Sequence, residues 1–287
     1  MRLKDRWIAA AVVLAWGINF VFMKVALAQV QPVVLGLLRF VLLLFPAIFF
    51  FKRPAVPWRW LALYGLCISF AQFSLLFMAI AQGMPTGLAA LLQQAQAFFT
   101  VLLAALLLHE PVRRHHALAL GLAMVALGLI GVGQWQGVMP LGALGLMLGA
   151  AAMWAAGNLI VKRLGPVDAL ALVVWGNVSA LLAFALAALA LYGVQGVAQQ
   201  VAGMDWRGWG SALYLAYGAG LLGYAGWGLL LSRYPAGQIT PLGLLVPVVA
   251  LLVAFVGLHE PLNTWHWAGV ALMLLALAVQ VLGGRRH

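Results

Sequence analysis

The sequence predicts an all-α polytopic membrane protein whose ten transmembrane helices form two inverted five-helix repeats. Apolar residues make up 66% of the 287 positions and charged residues only 7%, a balance that suits lipid as solvent and would precipitate a soluble chain. Thirteen of the sixteen Lys and Arg residues fall in alternate gaps between long apolar runs, as a chain threaded back and forth through a bilayer requires. The third observation is a repeated landmark. Leu108-His109-Glu110-Pro111 returns as Leu258-His259-Glu260-Pro261, an offset of 150 residues.

The ten runs of spanning length lie at about 7–28, 32–51, 60–80, 86–108, 117–135, 140–161, 169–191, 210–231, 236–258 and 266–283. Arg2, Lys4 and Arg6 precede the first. Its basic front imitates a signal peptide, but the run is too long for a signal core and the repeat needs it as a span. Every second gap then carries cations: Lys52, Arg53 and Arg59; Arg113 and Arg114; Lys162 and Arg163; Arg233; Arg285 and Arg286. The opposite gaps hold only Arg207, so the positive-inside rule puts both termini in the cytoplasm. The fourth and ninth runs end at Glu110 and Glu260, each before a proline that cannot continue a helix and each free to pair with a nearby cation.

The same 150-residue offset pairs Tyr64 with Tyr214, Pro85 with Pro235 and Gly87 with Gly237, whereas Trp16 with Trp154 and Lys24 with Lys162 are 138 apart. The second half therefore carries an insertion, expected in the long external gap from Tyr192 to Gly210. The chain divides into residues 1–135 and 136–287. Five spans per half make the repeats opposite in orientation, an arrangement typical of secondary transporters with a midplane cavity between the halves. Ten spans can enclose such a cavity within one copy, so a monomer satisfies the design.

The charge of +11 is scattered over short segments without an aromatic-basic groove, so nucleic acid is not an expected partner; these cations face lipid headgroups. Two cations stand inside spans. Arg39 lies close to the middle of the second, where it cannot easily reach water and where a guanidinium without an acid needs a cavity; there it could grip a carboxylate through two parallel hydrogen bonds or tie down backbone carbonyls. Lys24 lies one turn from the external end of the first, where it could snorkel to the headgroups or anchor the helix, or else serve substrate binding or coupling. Gln93, Gln96 and Thr100, spaced i, i+3 and i+7, put three hydrogen-bonding groups on one face of the fourth span, for cavity lining or for helix contact. Tyr217, Tyr224 and Trp227 share a face of the eighth, where rings could pack or meet an ammonium group by cation–π attraction. Five glycines, from Gly218 to Gly228, allow that span close contact or bending. Asn19 and Gln72 are further mid-span polar candidates. Trp16, Trp154 and Asn158 sit in the first helix of each half, beside the expected cavity. Pro46, Pro241 and Pro247 lie inside spans and predict kinks, with Pro247 the candidate hinge.

These landmarks resemble the drug/metabolite transporter superfamily, in its ten-helix members built from two EamA domains. The likeness covers nearly the whole chain and is carried by Trp16-Gly17-Ile18-Asn19-Phe20-Val21, Leu38-Arg39-Phe40, Phe45-Pro46-Ala47-Ile48-Phe49-Phe50, Ile68-Ser69-Phe70-Ala71-Gln72-Phe73, Gly83-Met84-Pro85, Gln94-Ala95-Gln96-Ala97-Phe98-Phe99-Thr100 and Leu244-Leu245-Val246-Pro247-Val248-Val249. The 192–210 gap and the basic tail carry none of it. The resemblance implies export of small amino-acid metabolites, O-acetylserine and cysteine, across a bacterial inner membrane.

Exporters of threonine, homoserine, aromatic amino acids or drugs are the alternatives within that class. An intramembrane enzyme acting on lipid would need a nucleophile, an acid–base group or a metal cluster at depth. The single Cys67 and the placement of all acids and histidines at or beyond span ends argue against one. No Gly-rich nucleotide loop occurs, and no cofactor or metal is expected. Without a mid-span acid, proton coupling would run through Lys24, a tyrosine or the substrate; transport that is uncoupled or an exchange is the other reading.

Overall fold

A computed structural model describes residues 1–109, 114–134, 140–234, 239, 242–243, 245–260 and 262–283. Among them the only regular structure is helical. We label the elements α1 (Leu3–Leu27), α2 (Pro32–Ala47), α3 (Trp58–Ala81), α4 (Thr86–Leu108), α5 (Arg114–Gln134), α6 (Leu141–Leu164), α7 (Ala169–Ala202), α8 (Trp206–Arg233), α9 (Leu245–Leu258) and α10 (Thr264–Gly283). Six of these, α1, α3, α4, α6, α7 and α8, are long and apolar enough to cross a membrane by length and composition. The other four are apolar but give shorter stretches of that character. At the helical rise the 16 residues of α2 reach about 24 Å, short of a bilayer core. Glu110, Pro111, Arg113, Pro235, Gly237, Pro241, Pro261, Arg285 and Arg286, all used in the sequence reading, lie outside the described residues.

Helix ends follow local chemistry. Asp168 and Asp205 cap α7 and α8, each accepting two backbone N–H groups of the first turn. His109 and His259 are the described non-glycine residues at positive φ, 55° and 51°. Both occupy the left-handed cap after a helix, and the N–H of Glu260 reaches back to the carbonyl of Ala254 at 3.3 Å. The histidine of the repeated motif is thus a helix stop in both halves.

Two spans depart from a plain α-helix at matching places. In α3 a π-helical stretch covers Leu66–Ala71, and in α8 another covers Tyr214–Leu222, overlapping when shifted by the 150-residue offset. α4 is interrupted by a turn at Gln94 and Ala95, with α-helix on either side at Thr86–Gln93 and Gln96–Leu108. Shortly before α9, residues 242–243 form a 3₁₀ turn; at the 150-residue offset they correspond to 92–93, which are α-helical in α4. Pro46 lies inside α2, but Pro247 is the third residue of α9, in the first turn where proline is tolerated.

The packing comes in matched pairs. α5 packs along α10, α2 along α7, and the first half of α4 along α9; α1 meets α9 and α8, while α6 meets α4 and α3. Small residues permit the closest of these approaches. A side chain at Gly65 would collide with the backbone of Gly176, so α3 and α7 touch through glycine.

The expected 192–210 loop is mostly helix. α7 continues to Ala202 after a break at Gly193, whose φ of 64° suits glycine. The chain then folds over the α1–α2 turn, where the side chain of Gln29 donates to Asp205 at 2.7 Å and the N–H of Gln31 donates to Gln200 at 3.0 Å. The insertion therefore clasps one end of the bundle. Glycines at 193 and 196 weaken this stretch as a helix, but the Gln31 N–H docks it at Gln200 and the helix holds.

Candidate functional site

The interruptions in α4 and α8, the residues that follow the π-helical stretch of α3, and Gly243 before α9 line a cavity of ≈ 370 Å³. Asn19 and Trp16 reach it from α1, Arg39 from α2, Gln72 and Phe73 from α3, Gln93 and Gln96 from α4, Trp154 from α6, and Tyr224 and Trp227 from α8. Of the nine residues singled out as substrate-binding candidates, Arg39, Asn19, Gln72, Gln93, Gln96, Tyr224 and Trp227 share this one space. Lys24 and Tyr217 are not among its walls. Tyr217 sits within the π-helical stretch, whose wider i→i+5 turns rotate it off the face that a regular helix would share with Tyr224.

Arg39 is only 3% exposed. Its guanidinium carbon stands 4.2 Å from the centre of the Phe73 ring, a cation–π contact that helps hold the group in place. Neither its Nε nor its Nη1 has a hydrogen-bond partner, and among the described residues no carboxylate forms an ion pair with it. Two more unpartnered buried atoms belong to residues of the same cavity: the Asn19 carbonyl oxygen and the Gln93 amide nitrogen. Folding normally matches buried polar atoms, and each exception costs about 1–3 kcal/mol, more for a charge. Donors and an acceptor left open around one space form a set for something else to complete.

The glutamine stripe works differently from its i, i+3, i+7 spacing. Because α4 breaks between Gln93 and Gln96, the two side chains find different helices. The Gln93 carbonyl accepts a long bond of 3.4 Å from Gln72 on α3, while Gln96 accepts from Asn158 of α6 at 2.8 Å. Thr100 donates to the backbone carbonyl of Gln96 and accepts from Asn158, so it serves helix contact rather than the cavity wall.

The aromatic wall is anchored. Trp16 donates its indole N–H to the carbonyl of Ala219 at 2.9 Å, an acceptor inside the π-helical stretch. Its ring lies 5.6 Å from Tyr224 in an edge-on contact and 5.2 Å from Trp227. An ammonium group placed against these rings would meet negative π-faces with no carboxylate nearby.

Lys24 has another task. Its Nζ donates to Glu260 at 2.8 Å, and the same carboxylate accepts from the Thr86 hydroxyl at 3.1 Å and the Gly87 N–H at 3.3 Å. The Glu260 side chain is 6% exposed and that of Lys24 47%. One carboxylate thus ties α1 and the start of α4 to the loop after α9. The sequence reading expected a cation beside Glu260 but not that it would be Lys24, and it missed Phe73; Phe73 adjoins a residue already chosen, whereas nothing local in the sequence links positions 24 and 260.

A family model described as the EamA-like transporter family matches residues 6–132 and 141–282. The chain belongs to that family. It is 42% identical to a Salmonella typhimurium protein named "Probable amino-acid metabolite efflux pump", over 99% of this chain and 97% of that one. An Escherichia coli protein of the same name is 41% identical over the same shares. An Archaeoglobus fulgidus protein named "Uncharacterized transporter" is 23% identical over 96% of this chain and 98% of its own length. A crystal structure with 18% identity superposes at a TM-score of 0.66 over 100% of this chain and 98% of that one, a likeness of fold alone. This EamA-family chain is a membrane transporter and not an enzyme.

Proposed function

We propose that the protein exports small zwitterionic amino-acid metabolites, O-acetylserine and cysteine among them, by alternating access through the cavity at Arg39. The observation that carries this is the unmatched set of buried polar atoms. Arg39 Nε and Nη1 with the Gln93 amide offer donors for a carboxylate, and the Asn19 carbonyl with the Trp16, Tyr224 and Trp227 rings offers a place for an ammonium. A second cationic centre on the substrate would meet Arg39 without a carboxylate to offset it, so dications are excluded by repulsion. The names of the Salmonella and E. coli relatives agree with this substrate class.

Alternating access needs two related halves, 1–135 and 136–287, each contributing five of ten spans in opposite orientation. The matched π-helical stretches, the two left-handed histidine caps and the paired helix contacts support that arrangement. The cation distribution supports an inner-membrane location with both termini cytoplasmic. In a Cys67→Ser background, a cysteine at Gln199 should react with an impermeant maleimide from outside and one at Ala55 should not; the reverse labelling rejects the orientation.

The deciding assay is uptake of labelled O-acetylserine and cysteine into proteoliposomes, with and without a pH gradient. Saturable transport of both, unaffected by excess lysine, is expected. Transport of cationic drugs with no movement of either metabolite would favour a multidrug carrier instead.

A further inference from the structure

Behind Arg39, on the side away from Lys24, lies a second cavity of ≈ 240 Å³. It shares Arg39, Phe73, Trp154 and Tyr224 with the first, so the guanidinium stands at the junction of the two. Its own polar lining comes from Tyr64, Ser69, Asn158 and Asn177, and Val161 and Val167 carry it toward the α6–α7 connection. Ser69 belongs to the π-helical stretch of α3, and its hydroxyl donates to the carbonyl oxygen of Asn177 at 2.6 Å. That bond occupies the acceptor pole of the Asn177 amide and leaves its N–H groups as the available pole. Asn177 is 2% exposed. It also stands 138 residues after Arg39, the offset that relates the first helices of the two halves. One half contributes a cation at this level and the other an amide donor.

From this juxtaposition we infer that the second cavity receives the side chain of the substrate and that Asn177 selects side chains carrying a hydrogen-bond acceptor. The inference rests on the reading of the main cavity as a zwitterion site. With the carboxylate on Arg39 and the ammonium drawn to Asn19 and the aromatic wall, the third substituent on the substrate's α-carbon has the space behind the guanidinium open to it. An ester or amide carbonyl there can accept from Asn177, with the Tyr64 hydroxyl as a neighbour. A thiol is a poor acceptor and fills little of the space. A site built to bond a group discriminates against substrates that lack it, because its own buried donor is otherwise left unmatched. Short O-acyl and amide-bearing zwitterions should therefore be favoured over thiol or alkyl ones.

The test compares O-acetylserine and cysteine as labelled substrates of the same reconstituted protein. Asn177→Ala should lower kcat/KM for O-acetylserine about tenfold while changing that for cysteine less than about threefold, so that cysteine transport reports folding in the same sample. Ser69→Ala, which frees the amide to turn, should produce a smaller shift in the same direction. Val161→Phe narrows the far end of the cavity at a partly exposed position without removing a polar group; it too should depress O-acetylserine more than cysteine. Equal losses for both substrates in all three variants would overturn the inference and leave the zwitterion reading intact. If the unmodified protein moves neither substrate, the zwitterion reading fails and the inference falls with it.

Discussion

Arg39 and Lys24 are the two cations inside the apolar runs, and the structure treats them in opposite ways. Lys24 is half-exposed and meets a carboxylate that also binds Thr86 and Gly87, so its charge is fully answered by the protein. Arg39 is buried over Phe73 with two guanidinium nitrogens unanswered. Evolution need not keep a desolvated charge for stability, since replacing buried ionic groups by apolar ones is often neutral or stabilising. A cation with its own acid holds helices together; one without an acid, opening on a cavity, is placed for a ligand.

The sharpest way to break this contrast is to remove each charge and measure both transport and stability. Arg39→Ala should cut O-acetylserine transport at least about a hundredfold, yet leave the protein extractable with a melting temperature unchanged or raised, because an unpaired buried charge is gone. Arg39→Lys should retain about a tenth of the activity, a point charge replacing a planar fork. Normal transport by Arg39→Ala would end the carboxylate role, and loss of the protein from the membrane would make Arg39 structural.

Glu260→Gln should behave in the opposite sense. It weakens three hydrogen bonds at once and should lower stability by about 1–3 kcal/mol, read as a lower melting temperature. Exchanging the two charges in a Lys24→Glu, Glu260→Lys double variant should recover part of what the single variants lose. Additive losses would show that the ion pair is not the source of the effect. Smaller again is Gln93→Leu, which removes an unpartnered donor beside Arg39 and should raise KM several-fold with little change in stability.

The smallest effect belongs to the clasp at the end of the bundle. The Gly208 N–H, foremost, and the Gln29 amide hold the Asp205 carboxyl below the usual carboxylate range. A depressed pKa means that ionised Asp205 stabilises the fold at neutral pH and loses that contribution as pH falls through its folded value. Asp205→Asn should therefore melt slightly earlier at about pH 7, and the gap to the parent should close as the pH falls through the folded value of Asp205. A difference that persists in acid would assign the effect to the shape of the cap rather than its charge.

Much of this was legible in the chain itself. Hydropathy of each run, the sign of each gap and the proline after each repeated glutamate are local signals, set within one segment, and they were enough to place helices, their ends and seven of the residues around the cavity. The departures came where one segment answers another. Helical spacing put Gln93, Gln96 and Thr100 on one stripe, but the turn at Gln94 and Ala95 divides them between α3 and α6. A regular α8 would align Tyr217 with Tyr224, but the π-helical stretch turns it aside. Composition made 192–210 a loop, and its contacts with Gln29 and Gln31 made most of it helix. What tertiary structure alone decided was which cation is paired: Glu260 lies 236 positions from Lys24 along the chain, and no pattern within either helix could say that the Glu260 carboxylate would go to Lys24 and leave Arg39 open to the cavity.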